Sequence, residues 1–71
     1  MSASEYNAMI PRNIEKAIQA RGLKNCAVAE KAGYSNQQFS DMLNGRKIIK
    51  PCDIVAISGA LGIGVGELFS A

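Results

Sequence analysis

The sequence predicts an all-α fold, a compact bundle of five short helices, and three observations predict it. Apolar residues recur at i, i+3 and i+4, as in Ile14, Ala17 and Ile18, the spacing of one buried helix face. Gly22, Gly33, the Asn44-Gly45 pair and Gly62 punctuate the chain where helices stop. Strand-like alternation is confined to Ile63-Gly-Val65, which is too short and too rich in glycine to pair. The 71 residues are 48% hydrophobic and 20% charged, which is the composition of a folding chain. A chain of this size buries only about 60% of its unfolded surface, so it has room for one core and one domain.

Residues 1–9 read as a flexible N-terminal tail ahead of a domain over residues 10–71. The first helix is expected to open at Pro11, since proline suits a first turn, and to run to Arg21, with Gly22 as its stop and Leu23 entering the core. A second helix over about Asn25 to Ala32 turns Val28 and Ala29 inward and ends at Gly33. The third is capped by Ser35, with Gln38 three residues on in a capping-box pattern, and ends at Asn44-Gly45. After a basic loop from Arg46 to Lys50, Pro51 and Asp53 open a fourth helix that buries Ile54, Ile57 and Leu61 and closes at Gly62. A last short helix over Val65 to Phe69 places Leu68 as a lid. Gly59, inside the fourth helix, costs about 1 kcal/mol against alanine, and so points to close approach of another helix or of a partner subunit.

The third helix is the informative one. At about 100° per residue it separates into two faces. Phe39, Met42 and Leu43 share the core side, with Gln38 at its edge, while Asn36, Gln37, Ser40, Asp41 and Asn44 share the outer side. That outer side holds amides, a hydroxyl and one carboxylate, and no lysine or arginine. Solvated helix faces usually carry lysine and glutamate, because asparagine and serine cost helix stability. Amides are also what base edges call for, since glutamine or asparagine matches the paired donor and acceptor of adenine N6 and N7. The plainer reading, of tolerated surface polar residues, stays open at this point.

Charge adds to the first reading. Residues 21–50 contain six basic side chains (Arg21, Lys24, Lys31, Arg46, Lys47 and Lys50) and two acidic ones (Glu30 and Asp41), a net +4, whereas residues 51–71 carry −2 and residues 1–20 are neutral. Positive charge beside an amide face is the distribution that phosphates flanking a base-reading helix would require, although a solvated basic loop gives the same count.

Enzymatic signals are missing. The chain has no histidine and no Gly-x-Ser-x-Gly, and the glycines at 59, 62, 64 and 66 fit neither the dinucleotide fingerprint nor the P-loop. Cys26 and Cys52 form no C-x-x-C pair and read as reduced thiols; a zinc site would need more ligands. No cofactor, metal or small-molecule ligand is expected. The longest uncharged stretch, residues 54–66, falls short of the roughly 20 apolar residues of a membrane span, and the N-terminus has no secretory pattern. The expected location is the cytoplasm.

The stretch Gly22-Leu-Lys-Asn-Cys-Ala-Val-Ala-Glu-Lys-Ala-Gly33 followed by Tyr34-Ser-Asn-Gln-Gln-Phe-Ser-Asp-Met-Leu-Asn-Gly45 resembles the lambda-repressor-like helix-turn-helix family of phage repressors, Cro proteins and xenobiotic-response-element regulators. Ile57-Ser-Gly-Ala-Leu-Gly-Ile-Gly-Val-Gly-Glu-Leu68 continues the match. Ala29, Gly33, Phe39, Gly45 and Leu61-Gly62 stand in one register with that pattern. The resemblance implies a DNA-binding domain whose second and third helices form the helix-turn-helix, the third lying in the major groove and the second crossing the backbone. It assigns base reading to Asn36, Gln37, Ser40 and Asp41, with Gln37 foremost for an adenine. Asp41 can accept from cytosine N4 or pair with a nearby lysine or arginine. Phosphate contacts fall to Lys24, Asn25, Asn44, Arg46, Lys47 and Lys50. The implied partner is double-stranded operator DNA, bound by a homodimer at least on the DNA.

Two departures from the family pattern matter. Lys24 stands where a threonine or serine usually caps the second helix, so that helix starts later with Asn25 as cap, or frays until DNA arrives. Ile18 and Leu43 occupy the positions of a common arginine–glutamate pair; replacing both partners by apolar groups can be neutral or stabilising, which predicts that the two touch. The competing function is a protein-binding module on the same fold, an antitoxin or antirepressor component, using Leu68, Phe69, Ile49 and Val55 as an apolar patch.

Overall fold

The computed structural model describes residues 3–69. Four α-helices, α1 (Ala3–Ala20), α2 (Asn25–Ala32), α3 (Asn36–Leu43) and α4 (Pro51–Leu61), are followed by a 3-10 segment, Val65–Phe69. No strand occurs among the described residues. The expected fifth helix is thus a short 3-10 segment, which Gly62 and Gly64 before it and Gly66 within it keep from settling into α-helical geometry.

The first helix departs most from expectation. It begins at Ala3 rather than at Pro11 and runs for 18 residues, so residues 3–9, expected as tail, are helical; Met1 and Ser2 lie outside the described residues. Pro11 therefore sits within the helix, where it lacks the N–H that would otherwise reach the Asn7 carbonyl. Burial offsets that loss, because Ile10 and Pro11 are both buried and Ile10 joins the core.

The other helix ends follow the sequence closely. All four α-helices terminate in the same way: the N–H of a glycine (Gly22, Gly33, Gly45 or Gly62) reaches the carbonyl three residues back, and the next N–H reaches five residues back. This is the Schellman closure, which needs a left-handed residue. At Gly33 φ is +89°, and the closure lets α2 and α3 follow one another across residues 33–35 alone. Ser35 caps α3 as expected, its Oγ accepting from the Gln38 N–H at 3.1 Å while Gln38 Oε1 accepts from the Ser35 N–H at 2.9 Å. Lys24, not Asn25, is the N-cap of α2, and its side chain makes no capping bond.

One apolar cluster holds the elements together: Ile10, Ile14, Ile18, Val28, Ala29, Phe39, Met42, Ile49, Ile54, Ile57, Leu61 and Leu68. Ile18 lies inside it and Leu43 packs against it, so the two apolar replacements enter the same interior. Leu68 is fully buried, and Asn13 Nδ2 donates to its carbonyl at 2.8 Å, fastening the 3-10 segment to α1. Three expectations are corrected here. Leu23 is 41% exposed, because its N–H is tied to the Ile18 carbonyl directly after Gly22 and this holds its side chain at the rim. Ile49, 7% exposed, and Leu68 are core residues and leave the proposed contact patch to Val55 and Phe69. Gly59 meets no atom within 4 Å of where a Cβ would stand, so no helix of this chain approaches it closely.

Candidate nucleic-acid interface

The two faces of α3 separate as its periodicity requires. Phe39 and Met42 are buried, Leu43 and Asp41 are half-buried, and Asn36, Gln37, Ser40 and Asn44 are exposed. The outer polar groups also bond to one another along the helix. Gln37 Nε2 donates to Asp41 Oδ1 at 3.0 Å, and Asn44 Nδ2 donates to Ser40 Oγ at 3.2 Å. These i, i+4 pairs order the row of amides on the surface.

Cationic groups stand beside this row. Beyond its C-terminus, the Asp41 carbonyl accepts the N–H groups of Arg46 at 2.8 Å and Lys47 at 3.1 Å, and Arg46 Nη1 lies 3.8 Å from Asp41 Oδ1. Arg46, Lys47 and Lys50 are all exposed. The start of α2 lies alongside α3: Asn25 and Cys26 line a cleft of about 270 Å³ with Glu15, Asn36, Ser40 and Asn44. Asn25, Asn36, Ser40 and Asn44 are thereby brought to one place, while Gln37 and Asp41 lie along the neighbouring strip of α3 and are not among the cleft's lining. Lys24, exposed, immediately precedes Asn25. Chemically the surface offers paired donors and acceptors in the middle and positive charge at the margins, which suits base edges flanked by phosphates.

The Cro/C1-type helix-turn-helix DNA-binding domain matches residues 13–71, which takes in α2, α3, α4 and the C-terminal part of α1. The chain belongs to this family. Among solved structures, the clp gene regulator ClgR from C. glutamicum superposes with a TM-score of 0.85 at 19% sequence identity, covering 90% of this chain and 83% of that one; at that identity the likeness is one of fold. No curated protein matches the sequence. Residues 3–12, the first part of α1, precede the matched span; of these, residues 3–9 are the helical stretch expected as tail.

Two features of this Cro/C1-type domain had no local signature. Tyr34, in the turn between α2 and α3, donates its hydroxyl to Asp53 Oδ1 at 2.5 Å, across 19 residues, and Asp53 Oδ2 accepts the Lys50 N–H at 3.0 Å. The carboxylate joins the turn to the end of the basic loop. Burial alone would raise the Asp53 carboxyl, but the bonds from Tyr34 and the Lys50 N–H, with Lys47 and Lys50 nearby, outweigh it and hold the group below its ordinary value. Burial, the bond to Asp53 and its negative charge push the Tyr34 phenol upward, so it remains a donor. The second feature is the company of Glu15 and Cys26 in the cleft. Both cysteines are free and exposed. No helix among the described residues is long and apolar enough to cross a membrane.

Proposed function

We propose that this chain is a sequence-specific transcriptional regulator, a small repressor or Cro-like protein of phage or prophage type that binds a two-fold operator as a dimer and blocks polymerase by occupying it. The observation that carries the reading is the outer face of α3, an ordered row of amides and a hydroxyl with exposed Arg46 and Lys47 just beyond its C-terminus and Lys24 and Lys50 on the neighbouring segments. In this reading Asn36, Gln37, Ser40 and Asp41 meet base edges in the major groove, Gln37 on an adenine. Lys24, Asn25, Asn44, Arg46, Lys47 and Lys50 hold phosphates on either side. Dimer contact falls to exposed apolar side chains, among them Val55, 61% exposed, and Phe69, 40% exposed.

The same two side chains support the second reading, a module that holds a protein partner. Salt separates the two. Binding to DNA falls steeply as salt rises, in proportion to the phosphates neutralised, whereas an apolar protein contact changes little. Within the DNA reading, Gln37→Ala costs about 1–3 kcal/mol and relaxes preference at one base pair, while Lys47→Ala weakens all sequences alike and lowers the salt slope by about one. Fluorescence anisotropy on specific and random duplexes over a salt series reads both. Equal losses on the two duplexes for both variants contradict the assignment.

A further inference from the structure

We infer that Asp41 sets the base preference of Gln37 by fixing which way its amide faces. The inference rests on the reading of α3 as a base-reading helix and assigns Asp41 a positioning role within it. A carboxylate only accepts hydrogen bonds. Gln37, one helical turn before Asp41, must therefore present its NH2 group to it, and Nε2 lies 3.0 Å from Oδ1. One N–H is committed to Asp41. What Gln37 then offers outward is one N–H donor and the Oε1 acceptor.

That pattern fits one purine and not the other. Adenine presents the N7 acceptor beside the N6 amino donor, so the remaining N–H and Oε1 pair with both. Guanine presents two acceptors, N7 and O6, and a tethered amide would set Oε1 against O6. An untethered glutamine can turn its NH2 group outward and donate to guanine instead. Asp41 thus works against the wrong base as well as for the right one, which is how specificity is commonly built.

The charge of Asp41 is balanced and its carbonyl is bonded. Its side chain is 30% exposed and Arg46 Nη1 lies 3.8 Å from the same Oδ1, so a cation offsets the carboxylate's charge on a surface meant for DNA. Its carbonyl accepts the Arg46 and Lys47 N–H groups. The residue that orients the reading amide therefore also anchors the turn carrying the phosphate-binding cations, and this fixes the spacing between the two kinds of contact.

The test is enrichment from a randomised duplex pool by the wild-type protein and by the Gln37→Ala, Asp41→Ala, Asp41→Glu and Arg46→Ala variants, each first shown to unfold cooperatively on heating. The wild-type pool should show adenine at one position of each half-site, and Gln37→Ala should lose it. Asp41→Ala should raise the guanine-to-adenine ratio there about tenfold, while Asp41→Glu, which keeps an acceptor-only group, retains adenine. Arg46→Ala should weaken recovery of all sequences with that ratio unchanged. A purely structural role for Asp41 would lower recovery without moving the ratio. The inference is overturned if adenine survives Asp41→Ala, if Asp41→Glu relaxes as much as Asp41→Ala, or if Gln37→Ala alters no position. A wild-type pool with no enriched site overturns the DNA-reading function itself, a separate and recognisable failure.

Discussion

Tyr34 and Asp53 stand 19 residues apart, yet their bond ties the turn of the helix-turn-helix to the start of α4. Asp53 was legible as a helix opener, because an acidic residue in a first turn accepts orphan N–H groups. Its second oxygen was not, because nothing in the local sequence says which distant donor it meets. The bond makes a prediction about acid. A carboxyl held below its unfolded value adds stability that is present above that value, 3.8, and is lost as pH falls through the lower folded value. Asp53→Asn should therefore lower Tm at neutral pH and flatten the fall in Tm as the solution is taken below 3.8, read by circular dichroism melts over an acid series. Parallel curves for the variant and the wild type would show that the bond contributes nothing. The outer residues of α3 were the opposite case: the period of the helix and the burial of Phe39 and Met42 fixed where Asn36, Gln37, Ser40 and Asn44 had to face.

Among the helices, α2, α3 and α4 fall where sequence punctuation put them, because glycine at a left-handed closing position is a strong local determinant. The start of α1 at Ala3 is not legible from Pro11, because proline most often marks a first turn. Here the burial of Ile10 and Pro11 decides, a tertiary effect that local propensity does not contain. Lys24 leaves α2 without a side-chain cap, and the helix forms all the same, held by Val28 and Ala29 in the core. Gly59 was read as a site of close approach, whereas a Cβ there meets nothing within 4 Å. It is a glycine in an exposed helix interior. Gly59→Ala should therefore stabilise the fold by about 1 kcal/mol, raising Tm by about 4–8 °C for a domain of this size. A fall in Tm would mean that the α4 backbone needs the glycine.

The whole molecule is a small core closed from both ends, by the extension of α1 and by the 3-10 segment. Leu68 is the plug, fully buried and backed by the Asn13 bond to its carbonyl. Leu68→Ala should cost about 2–5 kcal/mol, a large share of the roughly 5–15 kcal/mol that holds a domain together; urea titration checks it, and a loss too small to measure would place the closure elsewhere. On this scaffold the charge is uneven along the chain, with a net +4 over residues 21–50, which carry the helix-turn-helix and the basic loop, against −2 over residues 51–71. The central claim is that the outer face of α3 reads sequence. Enrichment from a random duplex pool at about 150 mM salt tests it most directly, because bulk charge recovers little there and specificity decides. The account predicts a two-fold site with half-sites about one helical turn apart. Recovery of no preferred sequence, with only weak and salt-sensitive binding, would contradict it.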